Sequence, residues 1–299
     1  MLTKDEAICI RAIDFSETSQ IVTFFTKATG KVSAIAKGSK RPKSAFDGPI
    51  EIFSYGKIVF SDSTREKLAT LTEFEQHPSF THLSNSLFAL NCCFFAAELP
   101  SNLTDDYDPH PELFDSFLQF LQDTNEIRTT SDARKRGTTD EHQAASIEHN
   151  RHSKRSAAES RNPFLTDPSA ALGVTVRTGN ERRDTLALLI LFQLTLLKQI
   201  GLQPVLSHCV NSKTKYERRA TSDEFYFSSS ANGLICKDCE ASFPNKIRLP
   251  KNAANALSNL KMIVDANEKT LNEIEKILIY HFTELLGRPP KMAKYILKG

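Results

Sequence analysis

The chain has 299 residues, and its 38 lysines and arginines stand against 36 aspartates and glutamates, which leaves a net charge of +2. A chain so close to neutral has no global field that would attract a polyanion, so any anion-binding site must come from local clustering of charge. Its six cysteines are too few and too irregularly spaced for a disulfide scaffold.

Membrane insertion and secretion are also disfavoured by the sequence. The most apolar run, Leu186 to Leu197, is too short to cross a bilayer. The N-terminus carries acidic residues and has no long apolar segment of the kind found in signal peptides. We therefore expect a soluble, cytoplasmic protein.

Five strands are predicted before residue 78, with no helix-length segment between them. β-Forming residues, separated by Gly, Pro and polar runs, favour strands over 6–15, 19–26, 30–38, 50–60 and 66–75. Five short strands must bury one sheet face on itself, and a small barrel does this. The OB-fold is the commonest such barrel, so we predict that residues 1–78 form an OB-fold domain that binds nucleic acid.

Helical spacing of apolar residues replaces the strand pattern after residue 78. Helices are predicted over 79–100, 112–123, 184–200, 252–266 and 270–287. Pro100 is the predicted end of the first helix, and Asp184 is the predicted N-cap of the third. Cys92 and Cys93 are interpreted as small apolar packing residues. The sequence therefore predicts an α+β protein in which 79–123 and 184–299 form an all-helical C-terminal domain.

Two segments interrupt this helical domain. Residues 124–183 are polar, mixed in charge and nearly free of large apolar side chains. Such a segment cannot bury enough apolar surface to offset its chain entropy, so we predict a disordered insertion. The second segment is a cysteine-bearing loop over 202–248, which is expected to resemble a zinc ribbon.

The most concentrated charge lies in residues 27–46, where six side chains are basic and none is acidic. Like charges crowded in this way repel one another, so such a cluster favours a binding site for an anionic partner. Lysines and arginines that bind a phosphate backbone displace its condensed counterions, and this release adds to the affinity. Alternation along the third strand predicts that Lys31 and Lys37 share one face and that Val32, Ala34 and Ala36 share the other. The alternative is a solvated loop. With one arginine of the first strand added, the predicted DNA-binding residues are Arg11, Lys27, Lys31, Lys37, Lys40, Arg41 and Lys43.

Aromatic residues lie near this basic stretch in the sequence. They are Phe15, Phe24, Phe25, Phe46 and Tyr55. Most are expected in the barrel core, whereas one or two exposed rings would be able to stack on bases.

A possible metal site involves three cysteines. Cys236 and Cys239 have the C-x-x-C spacing that allows two thiolates to bind one zinc ion. Cys209 would begin a second pair, but Ser212 stands where the fourth cysteine is expected. The fourth ligand would be His208 or none. A zinc site and a decayed ribbon held by apolar packing are both open at this point, and either role is structural.

Catalytic motifs are not found in the sequence. It contains no phosphate-binding glycine-rich loop, no H-E-x-x-H pair and no G-x-S-x-G elbow, so we do not expect an enzyme. An alternative to nucleic-acid binding is an adaptor whose basic loop contacts an acidic protein partner.

Residues 17–44, ETSQIVTFFTKATGKVSAIAKGSKRPKS, resemble the N-terminal signature of the RecO family of bacterial DNA repair and recombination mediators. The resemblance is carried by Glu17-Thr18-Ser19, Phe25-Thr26, Gly30-Lys31, Ala36-Lys37-Gly38 and Arg41-Pro42-Lys43-Ser44. The broken cysteine pair is similar to the zinc finger of that family. The closing stretch HFTELLGRPPKMAKYIL resembles its C-terminal helix.

The resemblance implies both a fold and a function. It implies an N-terminal OB-fold, a helical C-terminal domain and, in many members, zinc. It also implies binding to single- and double-stranded DNA, annealing of complementary strands and loading of RecA onto gaps coated with single-strand-binding protein. The implied partners are RecR and the C-terminal tail of single-strand-binding protein, in the cytoplasm at the nucleoid.

Overall fold

A closed five-stranded barrel and a set of helices make up the protein in a computed structural model, which describes residues 2–41, 44–46, 48–61, 68–77, 80–137, 180–214 and 225–297. The barrel strands are β1 (Leu2–Phe15), β2 (Ser19–Thr26), β3 (Gly30–Ala36), β4 (Tyr55–Ser61) and β5 (Ala69–Gln76). Their order is β1-β2-β3-β5-β4. The predicted OB-fold is thus confirmed.

The long strand β1 closes the barrel because it pairs with two neighbours. Its first half pairs with β4 and its second half with β2, both antiparallel, and the register shifts between Cys9 and Arg11. A bulge of this kind bends a strand and increases its twist. Strand β3 alternates as predicted, with Val32, Ala34 and Ala36 buried inside the barrel.

Helices follow the barrel, and one small sheet lies between the third and fourth of them in the chain. They are α1 (Leu87–Leu103), α2 (Pro111–Gly137), α3 (Glu181–Gln199), α4 (Lys251–Ser258), α5 (Lys261–Asp265), α6 (Glu268–Leu286) and α7 (Ala293–Ile296). Strands β6 (Val205–Cys209), β7 (Phe225–Ser228), β8 (Gly233–Cys236) and β9 (Ile247–Leu249) form a sheet in the order β6-β8-β7-β9. Among the described residues, no helix combines the length and apolar character needed to cross a membrane.

Several predicted helix limits are wrong. Pro100 lies inside α1 instead of ending it. The last turn is stabilised by the N–H of Thr104, which donates to the backbone oxygen of Pro100 at 3.0 Å, and by Lys31 Nζ, which donates to that of Ser101. Asn180, not Asp184, caps α3 and accepts from the N–H of Arg183. The single helix predicted over 252–266 is two helices, α4 and α5. Cys92 and Cys93 are fully buried in α1, as predicted, and burial raises the pKa of both thiols.

The predicted disorder of 124–183 is wrong at both ends of that segment. Helix α2 continues to Gly137, and α3 already begins at Glu181. Buried Thr124 and Ile127 extend the apolar face of α2 beyond the predicted limit. The remainder, 138–179, lies outside the described residues.

The barrel packs against the helices through aromatic rings. The ring of Phe25 lies 6.2 Å from that of Phe114, and the ring of Phe53 lies 5.2 Å from that of Phe94. Full burial of a phenylalanine side chain stabilises the folded state by about 1.5–3 kcal/mol relative to leaving that side chain in water. Strand β2 thus has one face in the barrel core and part of the other in the helical core.

Polar contacts strengthen this junction around β3. Lys31 Nζ donates to the backbone oxygens of Ser101 and Thr104, at 2.8 and 2.9 Å, and lies 3.3 Å from an Asp106 carboxylate oxygen. A cation at the C-terminus of α1 also suits the negative end of the helix dipole. Beside it, Gly30 has a φ of +82°, and a Cβ there would lie 2.2 Å from the backbone oxygen of Asp108. The Gly30-Lys31 pair therefore joins the barrel to the helices.

A buried carboxyl group lies in the middle of the helical core. Glu275 of α6 is fully buried, and both of its oxygens lie 2.9 Å from Nε2 of Gln193 on α3. Burial raises its pKa to about 8, while the hydrogen bonds from Gln193 oppose the shift. The folded protein therefore holds this carboxyl group protonated at neutral pH.

We expect Lys31→Ala to lower the free energy of unfolding by about 1–3 kcal/mol, because it leaves two carbonyl groups at the junction without their donor. The chain contains no Trp, so urea denaturation followed by circular dichroism is the suitable measurement. Lys37→Ala, an exposed lysine on the same stretch, is the matched control and should change stability by less than about 0.5 kcal/mol. Equal losses for the two variants would contradict the assigned role of Lys31.

We expect the stability of the wild-type protein to fall as the pH rises from about 4.5 to about 8, because Glu275 binds its proton more tightly when folded than when unfolded. Glu275→Gln has no proton to lose, so it should be more stable than wild type above this window, by a few kcal/mol as an order of magnitude. Glu273→Gln, on the exposed side of the same helix, is the control and should follow wild type. The prediction fails if Glu275→Gln retains the wild-type pH dependence of its urea midpoint.

Candidate nucleic-acid interface and metal centre

The basic loop, defined here as residues 37–41, is held against the barrel by a buried glutamine. Gln20 of β2 donates to the backbone oxygen of Ile50 at 3.1 Å and accepts from the N–H of Ile50 and from the hydroxyl of Ser39, both at 2.9 Å. Gln20 and Ser39 are both buried. The loop therefore starts from a fixed polar anchor and does not depend on its charged side chains for its shape.

Backbone contacts fix the rest of the loop. The N–H of Gly38 donates to Ser19 Oγ at 3.2 Å, and the N–H of Lys40 donates to the backbone oxygen of Thr18 at 3.1 Å. Gly38 has a φ of +75°, and a tight turn joins its backbone oxygen to the N–H of Arg41. This arrangement holds the loop beside the β1–β2 turn.

The predicted DNA-binding residues fall into two groups. Lys27 and Lys31 face the helices, where Lys27 Nζ lies 2.8 Å from Asp115 and Lys31 lies 3.3 Å from Asp106. Lys37 and Arg41 are exposed at the other end of β3. The structure does not bring the two groups together, and carboxylates already neutralise the first.

Arg11, which is exposed, and Lys40, which is half-buried, lie with this second group. Within the described part of the chain, Arg11, Lys37 and Arg41 make no ion pair. Lys40 Nζ lies 2.7 Å from an Asp14 carboxylate oxygen, but such a solvent-accessible pair is worth little and is easily exchanged for another anion. Lys43 lies outside the described residues. Among the predicted DNA-binding residues, those open to a ligand therefore lie on the barrel away from the helices.

Only one of the aromatic rings considered above is well exposed. Phe24 and Phe25 are fully buried, Phe46 is buried and Tyr55 is half-buried, whereas 49% of the Phe15 surface remains accessible. The expectation that most of these rings belong to the core is correct, and Phe15 is the ring that can meet a base.

Three cysteines converge as their spacing predicts. The sulfur atoms of Cys209, Cys236 and Cys239 lie within 4.8 Å of one another, and all three residues are buried. Cys209 ends β6 and Cys236 ends β8, while Cys239 lies in a short 3-10 helix, Lys237–Ser242. The hydroxyl of Ser212 lies 3.3 Å from the Cys236 sulfur, at the place of a fourth ligand.

Polar groups around the cluster favour a thiolate at Cys209. Burial alone would raise the pKa of Cys209, but hydrogen bonds from the Ser212 hydroxyl and from nearby backbone N–H groups lower it to about 6. Burial raises the pKa of Cys236, the thiol beside it. Nδ2 of Asn211 donates to the sulfur of Cys239 at 3.3 Å. This donor set suits a soft divalent metal ion such as zinc.

His208 does not take part in the cluster. Adjacent residues of a strand point to opposite faces, and Nδ1 of His208 lies 2.9 Å from the hydroxyl of Ser207. Of the two predicted possibilities for the fourth protein ligand, His208 or none, the geometry disfavours His208.

Gln20, Ser39 and Asn211 support these sites, and sequence reasoning missed all three. Gln20 interrupts an apolar strand at a position that faces the barrel interior, and such a buried polar residue is the signal that could have identified an anchor. Ser39 and Asn211 gave no comparable signal, because their partners are distant in the sequence.

Comparisons with known proteins agree with this architecture. Residues 1–80 match the model for the family described as "Recombination protein O N terminal", and residues 176–294 match "Recombination protein O C terminal". The chain is 26% identical to the DNA repair protein RecO of Bacillus pumilus and 25% identical to that of Bacillus subtilis, each over 99% of this chain and 94% of the relative. It is 43% identical to the DNA repair protein RecO of Rhodopirellula baltica, over 38% of this chain and 43% of the relative. The chain belongs to the RecO family of DNA repair proteins.

Proposed function

We propose that the chain is a DNA repair and recombination mediator that binds single- and double-stranded DNA through Arg11, Lys37, Lys40, Arg41 and Lys43. The observation that carries the proposal is the preformed basic loop, whose exposed cations have no ion-pair partner among the described residues apart from the weak Lys40–Asp14 pair. A rigid cationic loop meets a phosphate backbone without first being ordered, which lowers the entropic cost of binding. Lys27 and Lys31 join the barrel to the helices and are assigned no DNA contact.

Annealing follows from the same electrostatics. A cationic surface that holds two strands at once lowers the repulsion between their phosphates, so that complementary bases can pair. No bond is made or broken in this process, so the proposed function is non-enzymatic. As a mediator, the chain helps to load a RecA-type recombinase onto gaps coated with single-strand-binding protein, and its partners are RecR and the tail of that protein.

We also propose that Cys209, Cys236 and Cys239 hold a zinc ion. The donor set supports this, because three sulfur atoms are close together and Nδ2 of Asn211 donates a hydrogen bond to the sulfur of Cys239. Zinc bound there would cross-link the ends of β6 and β8, and its role would be structural. Ser212 leaves the fourth position to a hydroxyl group or water.

We expect the triple variant Arg11→Ala/Lys37→Ala/Arg41→Ala to bind labelled single-stranded DNA more weakly than wild type and to depend less on salt. Each phosphate contact contributes about 0.7 to the slope of log affinity against log salt for a single strand, so the slope should fall by about 2. Fluorescence anisotropy over a salt series measures both quantities. Strand annealing of complementary oligonucleotides should slow in the same variant.

Lys198→Ala/Lys261→Ala/Lys291→Ala removes the same charge from exposed sites in the helical part and is the matched control. Equal effects of the two triple variants would mean that net charge alone decides the affinity, and the interface would be misplaced. Wild-type protein that captures acidic proteins but no nucleic acid at low salt would favour the adaptor instead.

We expect about one zinc ion per chain in the purified wild-type protein, and none in Cys236→Ser, because two thiolates cannot replace the three-sulfur set. Ser212→Cys should bind zinc more tightly, since it completes a four-thiolate site. Elemental analysis and competition with a chromophoric chelator measure these differences. Cys93→Ala, which removes a buried thiol outside the cluster, should retain the metal, and a wild-type protein free of zinc after refolding with the ion would contradict the proposal.

A further inference from the structure

An apolar area lies on the outside of the barrel beside the basic loop. It is formed by outward-facing side chains of three neighbouring strands, and we call it the outer patch: Ile13 and Phe15 of β1, Ile21 of β2 and Ile35 of β3. The three isoleucines form one row across the strands, because Ile13 pairs with Ile21 and Ile21 pairs with Ile35. Phe15 follows in the next outward row, where it pairs with Ser19.

The outer patch is open, whereas the equivalent face nearer the helices is covered. Ile8 and Phe25, which also face outward, are fully buried in the helical core. In contrast, 43% of Ile13 and 49% of Phe15 remain accessible, while Ile21 and Ile35 beside them are half-buried. Exposed apolar side chains that adjoin one another mark interaction surfaces more often than isolated ones do.

Cations bracket the outer patch at both ends. Arg11 lies two residues before Ile13 on the same outward face. Lys37 follows β3 and lies beside Ser19, whose hydroxyl accepts from the N–H of Gly38. At about 3.4 Å per residue, Arg11 and Phe15 lie roughly 14 Å apart along β1. The surface therefore presents a positive group, an apolar stretch with one ring, and more positive groups in order.

This order of groups complements unpaired nucleotides. A single strand offers negative phosphates along one edge and the flat apolar faces of its bases along the other. A duplex offers the same phosphates, but its base faces are stacked on one another and cannot reach Phe15. The flanking cations argue against a purely apolar occupant such as a second copy of this chain.

We propose that Phe15 stacks on a base of single-stranded DNA, with Ile13 packing beside it, and that this contact makes the interface prefer unpaired strands to duplex. The inference rests on the proposed DNA-binding function and adds a residue that sets its specificity. A base lying on the Phe15 ring keeps its hydrogen-bonding edge free, so a second strand can pair with it. The same contact that selects single strands is therefore compatible with annealing.

The first test compares Phe15→Ala with wild type on fluorescein-labelled oligo(dT) and on a labelled duplex of the same length. Loss of one aromatic stack should weaken oligo(dT) binding about tenfold and change duplex binding less than about twofold. The slope against salt should not change, because no charge is removed. Tyr295→Ala, which removes an aromatic ring of similar exposure in α7, is the matched control and should bind both probes as wild type does.

The second test reads the contact directly and does not depend on the stability of the alanine variant. The chain has no Trp, so Phe15→Trp introduces a single indole at the outer patch. Its fluorescence should be quenched when oligo(dT) saturates the protein, and quenched much less by the duplex. Phe15→Trp should also keep the wild-type affinity for oligo(dT), since the larger ring still stacks.

The outcomes separate this inference from the proposed function. If wild type binds neither probe, the proposed function fails and the inference fails with it. If Arg11→Ala/Lys37→Ala/Arg41→Ala loses affinity but Phe15→Ala does not, DNA binding stands and the stacking role is overturned. An unquenched indole at saturation also overturns it, as does equal weakening of oligo(dT) and duplex binding by a folded Phe15→Ala. A patch that binds an acidic protein or a second copy of the chain, with oligo(dT) affinity unchanged in Phe15→Ala, overturns it likewise.

Discussion

The extended conformation of strand β3 separates the basic residues at its two ends, and this separation decides which of them contact the helices and which face solvent. A strand extends about 3.3 Å per residue, so the seven residues Gly30–Ala36 carry the chain from the helices to the far end of the barrel. Basic side chains that adjoin in the sequence therefore end in two environments. Lys31 meets carbonyl groups and a carboxylate at the helices, while Lys37 and Arg41 emerge in solvent.

The two environments give the same residue type two functions. A lysine that donates to the end of a helix is held in place by its contacts, and its charge is already compensated. A lysine that lacks such partners keeps its charge available to a ligand. The RecO signature in this chain thus combines residues that hold the barrel on the helices, including Gly30 and Lys31, with residues of the basic loop.

The buried polar groups also have two different roles: one network positions a surface loop, and the other lies within the helical core. Gln20 satisfies three hydrogen bonds and fixes both the basic loop and the segment at Ile50. Glu275 and Gln193 instead form a pair within the helical core in which the carboxyl group is neutral. Burial favours these particular pairings, because the free energy lost when a buried polar group has no partner is larger than the free energy gained from one hydrogen bond. Only the first of these networks lies next to a candidate binding surface.

The cysteine cluster shows that three thiols converge although the sequence supplies only three of the four cysteines of a zinc ribbon. Cys209, Cys236 and Cys239 converge, and Ser212 occupies the neighbouring position with a hydroxyl group. Burial opposes ionisation of Cys209, but hydrogen bonds from the Ser212 hydroxyl and from nearby backbone N–H groups lower the pKa of its thiol. The apolar residues Phe225, Phe227 and Leu234 are buried around the same strands and hold the small sheet together.

The class of the protein could be predicted without a structure, since alternation, turn residues and helical spacing are local properties of the sequence that survive folding. The sequence identified the five-stranded barrel, the helices that follow, the basic stretch and the missing fourth cysteine. It could not decide which cations are free, because Lys27 pairs with Asp115, 88 positions further along the chain. Only tertiary packing brings such residues together or leaves them apart. The exposure of Phe15 was decided in the same way, because the helices cover one end of the outward barrel face and leave the other end open.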